Sequence, residues 1–292
     1  MNARSALFDL YGDHLRHQGG HAPVAALVRL LGALDVAAPA VRTAVSRMVR
    51  QGWLEPMRLD SGPGYALTRK ATNRLDEAAA RIYRTHDQTW DGRWHMLVLK
   101  HLGDRSTRER VRSGLAFLGY APLSDNTWVG PRASEETDAL LAADNVHAHR
   151  FVATLDGDPA GLAASTWDLA GLGRAYDRWR ADAEGLVAEA TGEPSDELAF
   201  AVRSRLVHEW RKFLFTDPGL PRELLPARWP GTEAAALFDS ESHRLLPGAR
   251  RFVTRSLANN HGAGNHGAGN HGAGNHGAGN HGAGNHRTGE PT

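Results

Sequence analysis

Residues 39–67 read PAVRTAVSRMVRQGWLEPMRLDSGPGYAL. Pro39 suits the first turn of a helix, where its missing N–H would have no partner anyway. Val41, Val45, Met48 and Val49 then recur at helical spacing, and Gly52, just past Gln51, is the favoured residue for closing a helix. The opposite side carries Arg42, Thr43, Ser46, Arg47 and Arg50. Taken alone, this pattern also fits an ordinary amphipathic helix with a solvated arginine face. The residues that follow change the balance. Trp53–Pro56 reads as a strand, residues 59–64 as a turn, and Tyr65–Leu67 as the returning strand.

Working upstream, residues 3–17 predict a helix with Leu7, Leu10, Tyr11, His14 and Leu15 on one side, ended by Gly19-Gly20. A second helix opens near Pro23, is made apolar by Val24, Leu27, Val28, Leu30 and Leu31, and ends at Gly32. Three helices followed directly by a hairpin is the layout of a winged helix-turn-helix, in which the third helix enters a major groove and the hairpin lies along the backbone. Arginine can pair bidentately with guanine, and Ser or Thr can reach bases or phosphates. The expected contacts to double-stranded DNA are therefore Arg42, Thr43, Ser46, Arg47 and Arg50 from the helix, with Arg58 and Tyr65 from the wing. Thr68 is placed to cap a further helix over 69–84, striped by Leu75, Ala78, Ala79, Ile82 and Tyr83.

Composition agrees with a soluble, multidomain chain. There are 292 residues, 41% of them hydrophobic, with a formal net charge of +1. Residues 1–89 hold 12 Lys and Arg against 8 Asp and Glu, a local charge of +4, and phosphate neutralisation is what supplies most affinity for a duplex. The absence of cysteine excludes disulfides, Cys-zinc sites and a thiol nucleophile. No apolar run is long enough to span a bilayer, and Asp9 and Asp13 stand where a signal peptide needs an apolar stretch. A cytoplasmic location is expected.

Downstream, residues 94–101 (WHMLVLKH) predict a buried strand and residues 105–118 a helix with Val111, Leu115 and Leu118 inward. Short strands at 120–123 and 127–129, a helix from Ser134 to Ala143, and a strand at 149–155 complete a β-α-β-β-α-β order, which suggests a ferredoxin-like domain. Long helices over 166–190 and 195–215, a proline-punctuated loop, and a last helix over 231–245 form a helical unit. From about Ser256 the chain turns low-complexity, with HGAGN repeated five times from His261. Sequence so poor in core-forming residues is expected to be disordered. The fold class is thus α+β and multidomain: a winged helix-turn-helix over 1–88, a ferredoxin-like domain over 89–160, a helical domain over 161–255 and a tail over 256–292.

Other constellations point away from catalysis. His147 and His149 lack an identifiable third metal ligand and read as an exposed loop pair. Gly171-Leu172-Gly173 has neither the preceding strand nor the third glycine of a dinucleotide fingerprint. Ser46 and Ser195 have no nearby base. A metal-dependent nuclease needs converging carboxylates, whereas Asp91 and Asp104 are better read as turn residues. No catalytic residue, metal or cofactor is expected.

Four stretches carry a resemblance that spans all three units: LFDLYGDHLR at 7–16, VRTAVSRMVRQGWLEP at 41–56, WDGRWHMLVLKH at 90–101 and WRKFLFTDPGLPRELLPARWPG at 210–231. In these the chain resembles the PaaX-like transcriptional regulators, repressors of phenylacetic-acid degradation. The resemblance implies a winged helix, a Cas2-like middle domain and a helical C-terminal domain. It further implies a homodimer that represses an aromatic-acid catabolic operon and is released by an aryl-coenzyme A thioester. An acyl-coenzyme A needs cations for its phosphates and an apolar slot, and Arg203, Arg211 and Lys212 beside Trp210 are the candidates for that effector site, against the competing reading of a helix with a solvated basic face and an aromatic core face. The competing functions are a non-catalytic scaffold that uses the winged helix for protein contacts and a Cas2-like metal-dependent nuclease.

Overall fold

The computed structural model describes residues 1–82, 89–100 and 102–258. The N-terminal unit begins with α1 (Ala3–Leu10), which runs into a π-helical turn over Tyr11–Leu15 and a 3₁₀ turn over Arg16–Gln18. Leu7, Leu10, Tyr11, His14 and Leu15 all face inward, as their spacing requires. Gly19, at φ 88°, lets the chain reverse. The strand β1 (His21–Pro23) was not legible, since three residues ending in proline carry no period. α2 (Val24–Gly32) and α3 (Ala38–Arg50) follow. After α3 the N–H of Trp53 bonds Met48 O and that of Gly52 bonds Val49 O, with Gly52 at φ 70°. This is a Schellman closure that only a residue tolerant of positive φ accepts readily.

The hairpin is longer than expected. β2 (Leu54–Leu59) pairs with β3 (Gly62–Leu67), so the turn contracts to Asp60-Ser61. Gly62-Pro63-Gly64 joins the strand by pairing with Leu59, Arg58 and Met57 of β2, while β1 reaches only Gly64, Tyr65 and Ala66. Pro63 lies beyond the end of β1, so its missing N–H breaks no ladder bond on that side. The sheet order is β1-β3-β2. Thr68 caps α4 (Arg69–Ile82) through its Oγ1, which accepts from Ala71 N at 3.3 Å. The expected extension of α4 to residue 84 with Tyr83, the side chains of Ala78 and Ile82, the strand end at His101 and the tail from residue 259 lie outside the described residues.

The middle unit has β4 (Trp94–Lys100), α5 (Arg105–Phe117), β5 (Ala121–Ser124), β6 (Thr127–Gly130), α6 (Glu136–Ala143) and β7 (His147–Ala153). The antiparallel order β5-β6-β4-β7 is the ferredoxin-like arrangement. β7 starts two residues earlier than its composition suggests, because Trp94 pairs with Ala153 and Lys100 with His147. Ser134 is not the cap of α6. Glu135 holds that position without a side-chain bond, and only the Ser134 carbonyl accepts from Thr137 N. Leu97 and Leu99 pack on α5 and α6 through Val111, Leu115 and Leu141.

The C-terminal unit comprises α7 (Pro159–Thr166), α8 (Leu169–Ala188), α9 (Asp196–Trp210) and α10 (Pro230–Ala258). α7 was unforeseen. Its Asp158 cap and Pro159 at the first turn are the signals that could have announced it. α9 is shorter than expected, its last turn tightening to 3₁₀ over Arg211–Phe215. α10 runs through Pro247, well past residue 245. An interior proline costs about 3 kcal/mol, but beyond it Ala249, Phe252 and Val253 are buried, which offsets that cost. They are buried against Leu7, Leu10, Leu27, Leu30 and Val41, together with Phe200 and Ala201 of α9, so one apolar core joins the N- and C-terminal units.

Candidate nucleic-acid interface

α3 presents two chemically distinct faces. Val41, Ala44, Val45 and Met48 are buried, while Arg42, Thr43, Ser46, Arg47 and Arg50 are exposed. Among the described residues none of Arg42, Arg47 and Arg50 is held in an ion pair. Thr43 Oγ1 donates to Pro39 O at 3.0 Å, so its hydroxyl proton is engaged within the helix. Asp35, in the turn just before α3, holds φ 61°, a left-handed conformation that a short polar residue tolerates best.

On the hairpin Arg58 is exposed opposite Pro63. Tyr65 is half-buried, packed against the core of the N-terminal unit, and its carbonyl accepts from Tyr11 Oη at 2.9 Å. Burial raises the Tyr11 phenol well above its ordinary range. Exposed Arg69 and Lys70 extend the basic surface to the start of α4, with Lys70 Nζ 5.1 Å from the Trp53 ring. The dipeptide at 69–70 is plain in the sequence, where it signals only the start of a helix.

The candidate effector residues are placed otherwise. Arg203 is 3% exposed, pairs with Asp13, and donates from Nε to Ser242 O at 2.9 Å. Arg211 Nε lies 2.6 Å from Asp9 Oδ1, and the other oxygen of Asp9 meets His208 Nδ1 at 2.7 Å. Trp210 is buried among Tyr176, Trp179 and Phe238. Lys212 is exposed and pairs with Glu209. Arg203 and Arg211 thus meet at a seam with the N-terminal unit, while Trp210 belongs to an aromatic core and Lys212 to the surface. His14 is buried in the same seam, with its Nε2 3.1 Å from Asp13 Oδ2. Loss of solvent, and secondarily the charge of Arg250, lower its pKa from 6.5 to about 4. Desolvation likewise brings Arg203 down to about 10, leaving it charged at neutral pH.

Three family patterns tile the sequence: PaaX-like protein over residues 2–71, the PaaX protein central Cas2-like domain over 87–166 and the PaaX-like protein C-terminal domain over 167–255. The chain belongs to the PaaX family. It is 32% identical over 265 residues to the transcriptional repressor PaaX of Escherichia coli (strain K12), covering 87% of this chain and 84% of that protein. Among solved structures it resembles the uncharacterized protein Rv0674 of Mycobacterium tuberculosis, with a TM-score of 0.59 and 26% identity over 87% of this chain and 99% of that one.

The remaining polar constellations of this PaaX-family chain are structural in their contacts. Asp91 Oδ1 accepts from Arg93 N and Asp104 Oδ1 from Thr107 N, a turn and a helix cap. His147 and His149 stand on strand β7, not in a loop, both exposed on one side. Among the described residues no three His, Asp or Glu side chains are grouped as metal ligands, and no helix is long and apolar enough to cross a membrane. An open cleft of about 410 Å³ lies between α8 and α10, where Arg244 is already matched by Glu241 at 2.7 Å and Glu184 adds a second carboxylate.

Proposed function

We propose that this protein is a transcriptional repressor that binds double-stranded operator DNA as a homodimer through a winged helix-turn-helix over residues 1–88. The observation that carries the proposal is the exposed face of α3: three arginines without ion-pair partners among the described residues, backed by buried Val41, Ala44, Val45 and Met48 and half-buried Val49. The kinship with a transcriptional repressor over most of both chains supports it. Arg42, Arg47 and Ser46 would contact bases, Thr43 and Arg50 the groove edge, and Arg58 a phosphate beside the wing. Tyr65 supports the wing from beneath. Residues 89–160 form the Cas2-like domain and 161–255 the helical domain in this scheme. Two copies would bind half-sites spaced by one helical turn or a multiple of it. Its working compartment is the cytoplasm.

Repression would be relieved by a small anionic effector, with an aryl-coenzyme A thioester as the first candidate and an aromatic-acid catabolic operon as the regulated target. Lys212 and Arg211 are the cations of the candidate set that solvent reaches, at 60% and 24% side-chain exposure, and Arg211 would be drawn from Asp9. Arg203 and Trp210 would act behind them.

The decisive experiment titrates the protein against its own upstream DNA over a range of salt, with and without a panel of aryl- and acyl-coenzyme A thioesters. The expected result is specific binding whose affinity falls steeply with salt and which one thioester abolishes. Specific binding that no thioester releases would keep the repressor and discard the effector class. No specific binding at low salt would favour a protein-binding scaffold.

A further inference from the structure

The seam between α1 and α9 carries buried charges beside its apolar contacts. Taking an ion pair out of water loses hydration that the mutual attraction only partly returns, and well-packed apolar replacements are often as stable or more so. What a buried pair adds is register, because a carboxylate must meet its cation whereas two apolar faces tolerate sliding and rotation.

Here the register marks are spread along both helices. Asp9 lies on α1 and Asp13 in the π turn that follows it, so the two carboxylates straddle the change in helix type. Arg203 and His208 of α9 and Arg211 just beyond it receive them, and Arg203 is also anchored to α10 through Ser242 O. Two outer tethers have the same direction. Arg29 Nη1 on α2 donates to Ser256 O on α10 at 3.0 Å, and Arg205 Nη2 on α9 meets Asp35 Oδ2 at 2.7 Å in the turn just before α3. Apart from the Arg203–Ser242 bond within the C-terminal unit, each of these bonds joins α1, the π turn after it, α2 or the α2–α3 turn to α9, the residue just beyond it, or α10.

We infer that Asp9 and Asp13, with Arg203 and Arg211, are positioning residues that fix the angle at which the C-terminal helices present α3 to DNA. The link to DNA rests on the proposed role of α3; the fixed angle does not. The shared apolar core holds the units together, and the buried charges select one orientation.

The chain contains no cysteine, so paired labels can be introduced cleanly. Spin labels on Gln51→Cys and Ser240→Cys, both exposed, in the full chain would report the distance between the end of α3 and α10 by pulsed dipolar spectroscopy. The parent should give one narrow distribution. The apolar double variant Asp13→Leu/Arg203→Met should keep an undiminished thermal midpoint while its distribution broadens, and affinity for upstream DNA should fall by roughly fivefold or more, the usual scale of coupling between separate sites. Arg203→Lys should restore much of the narrow distribution. A narrow distribution in the apolar double variant would overturn the inference. So would a lowered midpoint or failure to fold, since either assigns the pair to stability. A parent chain that binds no DNA would remove the role of α3, and the distance distributions would still decide the lock.

Discussion

The arginines of α3 and those along α9 have the same chemistry and opposite circumstances. Arg42, Arg47 and Arg50 stand in solvent without ion-pair partners among the described residues. Arg203, Arg205 and Arg211 each meet a carboxylate of the N-terminal unit: Asp13, Asp35 and Asp9 in turn. An unpaired exposed cation is available to an external anion, whereas a paired one must first give up its internal partner. The difference teaches that a basic face is diagnosed by what its charges already touch. Composition alone leaves both helices open to the plain reading of a solvated basic face.

Four measurements would break or sharpen that contrast. The largest effect should come from the apolar contact beneath the paired set. Phe200 is fully buried between His14 and Phe252, and Phe200→Ala should lower unfolding free energy by about 3–5 kcal/mol, read by denaturant titration. Next comes His14. Its folded pKa lies below its unfolded value, so its contribution is intact above pH 6.5 and is lost as pH falls toward 4, where the unfolded chain takes up a proton that the folded one refuses. Stability should drop by about 3 kcal/mol across that window, and His14→Gln should flatten the profile. Third, Arg47→Ala should weaken operator binding by about 1–3 kcal/mol and relax specificity at one base, while Arg58→Ala should weaken all sequences alike and reduce the salt slope by about 1. An Arg47 variant that binds as tightly as the parent would take the unpaired set out of DNA recognition. Smallest is Arg205→Ala: Asp35 is 85% exposed in that pair, and such surface pairs contribute roughly 0–1 kcal/mol, within reach of careful calorimetry.

Much of the framework was legible because it is local. The stripes on α1, α2 and α3, the glycines that end them and the hairpin after Gly52 are all written within a few residues of where they act. The β-α-β-β-α-β order of the middle unit was likewise readable from runs such as residues 94–101. What escaped is set by distance along the chain. β1 exists only because β3 lies beside it, some forty residues on. α10 survives Pro247 because its far end joins the core of the N-terminal unit. In the sequence Asp9 and Asp13 register only as charges that interrupt an apolar stretch near the N-terminus. Nothing nearby in sequence shows that Asp13 meets Arg203, 190 positions away. The outward face of α3 was legible as a pattern, but that its arginines stay unpaired required the structure.

The core shared by Leu7, Leu27, Val41, Phe200 and Val253 also has a consequence for how the molecule comes apart. Segments that share one interior melt together, so the first 70 residues and the last 60 described ones form a single cooperative unit although the middle of the chain separates them. During synthesis the leading segment must wait, with its apolar seat for Phe200 and Phe252 open, until α9 and α10 emerge. Expressed without them, it would be short of its own interior and prone to self-association.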